Sequence, residues 1–149
     1  MAEEPVSLVA TPDSADLLAR GISRLLAQMG YATLTEFRLR NGRRADVAGI
    51  NAKGRIVIVE LKRSLQDYRT DGKWPEYLDY CDSFYFAAPK GFDHQHLPAE
   101  QGLILADRYG AAVIRPAAEQ PALHASRRRE VTLRFALAAA SRLGQLLDP

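Results

Sequence analysis

The sequence predicts an α/β domain in which a mixed sheet is covered by helices, and three features carry that prediction. A helical apolar repeat lies near the start, short apolar runs separated by turn residues follow, and a second long helical repeat closes the chain. Neither helices nor strands of this kind can bury their apolar sides alone, so the two sets must pack on each other. With 149 residues, 47% of them hydrophobic, the core suffices for one domain. That domain is expected over 13–149, behind a mobile start over 1–12.

Asp13 or Ser14 can cap a first helix that carries Leu17, Leu18, Ile22, Leu25, Leu26 and Met29 at helical spacing and stops at Gly30. Tyr31 to Leu39, Arg44 to Ile50 and Arg55 to Leu61 read as three antiparallel strands, parted by Asn41-Gly42 and Ala52-Lys53-Gly54. A polar stretch comes next, and Pro75 suits the first turn of a short helix through Tyr77, Leu78, Tyr80 and Cys81. Ser83 to Ala88 is a β-prone run stopped by Pro89. The loop through His94 and His96 shows no periodicity, and that histidine spacing defines no zinc site. Leu103 to Ala106 and Ala111 to Ile114 form a strand pair around Arg108-Tyr109-Gly110. Ser126 can then cap a closing helix bearing Val131, Leu133, Phe135, Leu137, Leu143 and Leu147. The order is αβββαβ plus a C-terminal strand pair and helix.

A formal charge of +2 and a pI near 8.8 are too mild to announce a nucleic-acid binder, so any basic surface must come from clustering. Arg38, Arg40, Arg43 and Arg44 crowd one turn, Lys62 and Arg63 follow a strand, and Arg127, Arg128 and Arg129 open the last helix. A single cysteine, Cys81, excludes an internal disulfide and a paired-cysteine zinc site. No run of about 18 apolar residues exists, and the start lacks a basic segment followed by an apolar one, so no membrane span and a cytoplasmic location are expected. Neither a Gly-x-Ser-x-Gly elbow nor a Gly-x-x-x-x-Gly-Lys phosphate loop is present.

The turns set the strand registers. Asn41-Gly42, as a two-residue type I′ turn, places Phe37 opposite Asp46. Ala52-Lys53-Gly54, as a three-residue turn with a left-handed glycine, places Asp46 opposite Glu60, Arg44 opposite Lys62, Ala48 opposite Ile58 and Ile50 opposite Ile56. One face thus runs from apolar to ionisable. The other holds Ala45, Val47, Gly49, Val57, Val59 and Leu61, so both faces read as buried. Opposed Cβ atoms lie about 4.5 to 5.5 Å apart, where two carboxylates repel unless a cation lies between them. Oxygen ligands favour Mg²⁺ or Mn²⁺. Lys62 points to the same side as Glu60, where an ammonium suits orienting a water or offsetting transition-state charge. The same four residues also suit a cross-strand salt-bridge set at the sheet rim. Weighing against that is their place at the end of the apolar run Ile56 to Val59, where charge is costly unless used or paired.

Asp46, followed fourteen positions later by Glu60-Leu61-Lys62, resembles the PD-(D/E)XK nuclease signature, and the element order matches its restriction-endonuclease-like core. More narrowly, the run from Arg43 through Pro89 resembles the MmcB family of bacterial DNA-repair endonucleases, with similarity over most of the chain. The resemblance implies a metal-dependent DNA endonuclease of DNA-repair type that hydrolyses phosphodiester bonds by activated water. It implies that Asp46, Glu60 and the Leu61 carbonyl bind Mg²⁺ (or Mn²⁺) and that Lys62 assists the water. Ala45 stands where the signature has proline, a departure many members share. A further acid often completes such sites. Asp16 lies near the start of its helix, and Glu36, opposite Val47 in the derived register, faces away from Asp46 unless a bulge shifts it. The alternative is a nuclease-like domain without catalysis that binds DNA or a repair partner. An enzyme cutting both strands can act as a homodimer, but no interface is legible.

Candidate DNA contacts are Arg43, Arg44, Arg63, Gln66, Lys73, Trp74, Arg127 and Arg128. Ser64 to Trp74 suits a nucleic-acid groove or an ordinary capped loop equally, and Trp74 suits base stacking or core packing. Arg127 and Arg128 stand at a helix start, where the macrodipole disfavours cations, so a phosphate partner or plain solvation must account for them.

Overall fold

The computed structural model describes residues 13–149, so the mobile start expected over 1–12 lies outside the described residues. Helix α1, Ala15–Gln28, begins where the Ser14 hydroxyl accepts the Leu17 N–H. Its inward stripe of Leu18, Ile22 and Leu26 is fully buried, each side chain contributing about 2 kcal/mol.

Six strands follow: β1 Tyr31–Arg38, β2 Arg44–Asn51, β3 Ile56–Leu61, β4 Ser83–Pro89, β5 Gly102–Ala106 and β6 Ala111–Arg115. They form one sheet in chain order. β1, β2 and β3 pair antiparallel, β3, β4 and β5 parallel, and β5 and β6 antiparallel, which makes the sheet mixed. The expected terminal strand pair is therefore an extension of the same sheet. α1 covers one face, packing on Val47, Val57, Val59, Tyr85, Ala87 and Ile104. A 3₁₀ helix, Trp74–Tyr80, and the closing helix cover the other, over Phe37, Ile56, Ile58, Phe84, Phe86 and Leu103. Ile56 to Val59 is buried throughout, as an apolar run in a two-sided sheet must be. This is the mixed, helix-flanked α/β arrangement that the sequence predicted.

The two hairpins use the same turn. Asn51 N–H donates to Arg55 C=O (3.1 Å) and Gly54 N–H to Asn51 C=O (2.9 Å), with Gly54 at φ +78°, as expected. At the first hairpin Leu39 N–H donates to Arg43 C=O (2.8 Å) and Gly42 N–H to Leu39 C=O (3.0 Å), with Gly42 at φ +87°. The loop is Arg40-Asn41-Gly42, three residues rather than two, and the Asn41 side chain fixes it by accepting the Arg43 N–H (3.0 Å). One added loop residue shifts β1 by one place. Phe37 therefore faces Ala45, not Asp46.

The shift brings Glu36 level with Asp46, and the ladder skips both between Thr35/Val47 and Phe37/Ala45. Glu36 takes φ +49°, a left-handed conformation that a non-glycine residue adopts only under constraint. Both strands change face there: Leu34 and Phe37, and likewise Ala48 and Ala45, point into the same core.

Two other boundaries differ from the sequence reading. The polar stretch contains a short helix α2, Leu65–Thr70, whose Ser64 cap accepts the Asp67 N–H (3.1 Å), and the Pro75 helix is 3₁₀. The closing helix α3, Ala125–Leu147, is capped by the His124 ring, which accepts the Ser126 N–H (3.2 Å), so Ser126 is not its cap. Of its apolar residues only Val131 and Phe135 are buried; Leu133, Leu137, Leu143 and Leu147 are exposed.

Candidate active site

The β2–β3 ladder follows the expected register from Ile50/Ile56 to Val47/Val59 and stops there. One step further the Asp46 carboxylate enters the gap and accepts the Leu61 N–H at 2.7 Å. A side chain thus takes the place of a strand carbonyl, and the strands part around it. Lys62 N–H turns instead to Ala87 C=O of β4 (2.8 Å), so the expected pairing of Lys62 with Arg44 does not form.

Glu60, the polar residue near the end of this apolar strand, and Lys62, just past it, are only 7% and 5% exposed, and this enclosure replaces the open cleft that a nuclease reading suggests. The Lys62 ammonium lies 3.6 Å from Glu60 Oε2 and 2.7 Å from Asp71 Oδ2. Asp71 is a member the sequence reading left out. Its other oxygen accepts from Arg43 (3.1 Å), which also reaches Glu76 (3.4 Å) and lies over the Tyr77 ring at 5.0 Å. The Tyr77 hydroxyl in turn donates to Arg44 C=O (2.9 Å), roofing the site.

Burial, then the adjoining Asp46 carboxyl, pushes the Glu60 pKa up to about 9, although Lys62 opposes this. At neutral pH the pair therefore holds a proton that relieves carboxylate repulsion. Glu60 Oε1 is buried and has no partner among the described residues. Asp71 behaves oppositely. Burial alone would raise its pKa, but hydrogen bonding and charge from Lys62, with the Lys73 N–H and Arg43, outweigh that and lower it.

Asp16, Glu36, Asp46 and Leu61 line one small cavity of about 40 Å³ between α1 and the strands. Glu36 is thus beside Asp46 rather than on the far face, which corrects the register argument against it. No cluster of three Asp, Glu, His or Cys side chains spaced to hold a metal ion occurs among the described residues.

Four of the expected DNA contacts are committed to the fold. Arg43 is bound to Asp71 and Glu76, and Trp74 stacks on Phe84 (5.7 Å) and meets the edge of Phe86 (5.0 Å). Arg127 donates to Asp79 C=O (3.1 Å) and lies over Tyr80. Arg128 grips buried Asp82 with both terminal nitrogens (2.7 and 2.6 Å) and also donates to Gly54 C=O. A nearby buried carboxylate thus accounts for Arg128 at the start of α3, whereas Arg127 meets a carbonyl and a ring face. Arg44, Arg63, Gln66 and Lys73 are exposed. Asp82 could have been flagged only as an acid beside an apolar run, because Arg128 lies far off in sequence, and Asp71 only as one polar residue of the stretch after Lys62.

Fold and site together define a mixed α/β domain with a buried acid–lysine group where two strands part. The sequence matches, over residues 2–149, the family described as DNA repair protein MmcB-like, and the chain belongs to that family. A solved structure of a protein of unknown function from Silicibacter pomeroyi is similar at 40% identity and TM-score 0.87, covering 94% of this chain and 95% of that one. A repair endonuclease from Pyrococcus abyssi is matched at 22% identity and TM-score 0.44, covering 66% of this chain and 48% of that one. No curated protein matches significantly. No helix among the described residues is long and apolar enough to cross a membrane.

Proposed function

We propose that this protein is a DNA-repair endonuclease of the PD-(D/E)XK type, acting in the cytoplasm and hydrolysing phosphodiester bonds with Mg²⁺ or Mn²⁺. The observation that carries the reading is Glu60: a buried carboxyl, pressed against Asp46, with one oxygen unpartnered. Such a group weakens the fold unless a ligand uses it.

The donor set fits a divalent cation, because two crowded carboxylates now relieved by a proton would be relieved better by a +2 charge. Asp46, Glu60 and the Leu61 carbonyl would hold it, with water and a phosphate oxygen completing the shell. When bound, it supplies charge for the phosphate and acidifies water. The chain's own residues do the rest. Asp46, locked to the Leu61 N–H, keeps β2 and β3 apart. Lys62, held between Glu60 and Asp71, fixes a positive charge where the attacked phosphate gains negative charge. Water oxygen bonds to phosphorus, the strand oxygen leaves and takes a proton, and two strand ends result.

Purified protein with Mg²⁺ or Mn²⁺ should cut a branched, nicked, flapped or single-stranded DNA, and Glu60→Gln should not. An intact panel, or cutting that survives Glu60→Gln, sinks the reading. One observation favours a non-cleaving DNA-binding domain instead: Glu60 and Lys62 are enclosed, and Asp71 occupies the lysine. That reading predicts salt-dependent DNA binding without cleavage.

A further inference from the structure

We infer that the groove between the β1–β2 hairpin and α3 binds a single-stranded segment of DNA and leads it to Asp46. The inference rests on the nuclease reading only for what happens at the end of the path.

The groove has a volume of about 970 Å³ and is lined by Arg38 and Arg44 on the hairpin side and Arg134 and Arg142 on the helix side. Against these four guanidiniums stand two carboxylates, Glu36 and Glu130. Among the described residues only Arg134 of the four is in an ion pair, with Glu130 (2.9 Å). Arg38 donates to Gly42 C=O (2.9 Å), and Arg142 donates to Thr35 C=O and Glu36 C=O (2.6 and 2.9 Å). Carbonyl partners hold a guanidinium in place without cancelling its charge, which leaves oriented donors for phosphate oxygens. Arg44 has no side-chain partner among the described residues and is exposed.

The α3 wall of the same groove carries Leu133 and Leu137, 60% and 61% exposed and one helical turn apart. A duplex presents phosphates outward and hides its base faces, so it has no use for such a wall. An unpaired strand exposes both kinds of surface, and apolar side chains can pack on its base faces. The groove also reaches the candidate site's edge: Glu36 lines both this groove and the small cavity that contains Asp46. Of the cations at the start of the same helix, Arg128 is neutralised by the Asp82 carboxylate, whereas Arg127, like Arg38 and Arg142, bonds a carbonyl and keeps its charge.

The test is fluorescence anisotropy of a fluorescein-labelled single-stranded oligonucleotide and of its duplex, with thermal melts to verify folding. Native protein should prefer the single strand. Arg44→Glu should weaken binding about tenfold or more, and Lys53→Glu, an equal charge change at the opposite end of β2, no more than about twofold. Leu133→Asp should erode the preference for the single strand. Equal losses for Arg44→Glu and Lys53→Glu, tighter binding of duplex, or no binding by native protein each overturns the groove. So does a dimer in sedimentation that Leu137→Asp disperses without changing DNA affinity, which assigns the wall to a second copy. Cleavage lost in Glu60→Gln but unaffected by Arg44→Glu overturns the groove alone. Groove-dependent binding without cleavage overturns the nuclease reading alone.

Discussion

The ends of β3 carry two buried acids with opposite fates. Beside its first residue, Asp82 accepts the Ile56 N–H (2.8 Å), the Leu123 N–H (3.3 Å) and both Arg128 terminal nitrogens, so each oxygen is used. Burial would raise its pKa, but Arg128 and the two amides bring it down to about 2. At the other end Glu60 has an unpartnered oxygen, a second carboxyl beside it and a pKa pushed up to about 9. Burial is the first influence on both, and only the partners differ. A buried acid that the fold has satisfied on every oxygen is structure, whereas one with an unpartnered oxygen and a second carboxyl against it is the better candidate for a ligand.

Substitutions should separate the two ends, beginning with the largest effect. Asp82→Ala leaves two amides without an acceptor and Arg128 with only the Gly54 carbonyl, and should cost about 3 kcal/mol in urea unfolding. DNA cleavage per folded molecule should stay unchanged. Glu60→Gln should do the reverse: cleavage falls about a hundredfold or more, while the unfolding midpoint moves little, because the group it replaces already holds a proton at neutral pH. If Glu60→Gln instead unfolds the protein, the contrast collapses and the acid–lysine group is structural.

Saturating Mn²⁺ should raise thermal stability of native protein, by about 2.7 kcal/mol at a hundred times the dissociation constant, and should not do so in Asp46→Ala. No rise in either would favour the non-cleaving reading. Acidity acts with opposite sign at the two ends. Asp82 has a folded pKa below its unfolded one, so its contribution is present above about pH 4 and is lost as pH falls toward 2. That loss is about 2 kcal/mol and should be absent in Asp82→Asn. Glu60 has a folded pKa above its unfolded one, so without metal its contribution is present at low pH and fades as pH rises toward 9. Chelator-treated melts across both ranges would show the two slopes.

The same contrast explains what the sequence made legible. The second hairpin could be read because a lone glycine after Ala52-Lys53 fits one turn, and its register carried Asp46 to Glu60. Asn41-Gly42 fits both a two-residue turn and the end of a three-residue one, and the choice is made by the Asn41 side chain, whose contact has no sequence pattern. Everything that hung on that turn, Glu36 above all, moved with it. The partners of the ionised groups were illegible for a plainer reason. Asp82 meets Arg128, and Asp71 meets Arg43 and Lys62, only after β3, β4 and α3 have packed, and no local spacing encodes those meetings. Apolar periodicity located α3 but could not tell its two buried residues from its exposed leucines, because an apolar stripe records affinity for a surface without saying which surface.

The bond from the Leu61 amide to Asp46 also gives the molecule an internal gauge. A backbone proton donated at 2.7 Å to a carboxylate resonates according to the charge on that carboxylate, so the Leu61 amide signal in a nitrogen–proton spectrum reports on the acid pair directly. Protonation, cation entry and the parting of β2 from β3 would each displace that one peak, with no label or substitution near the chemistry.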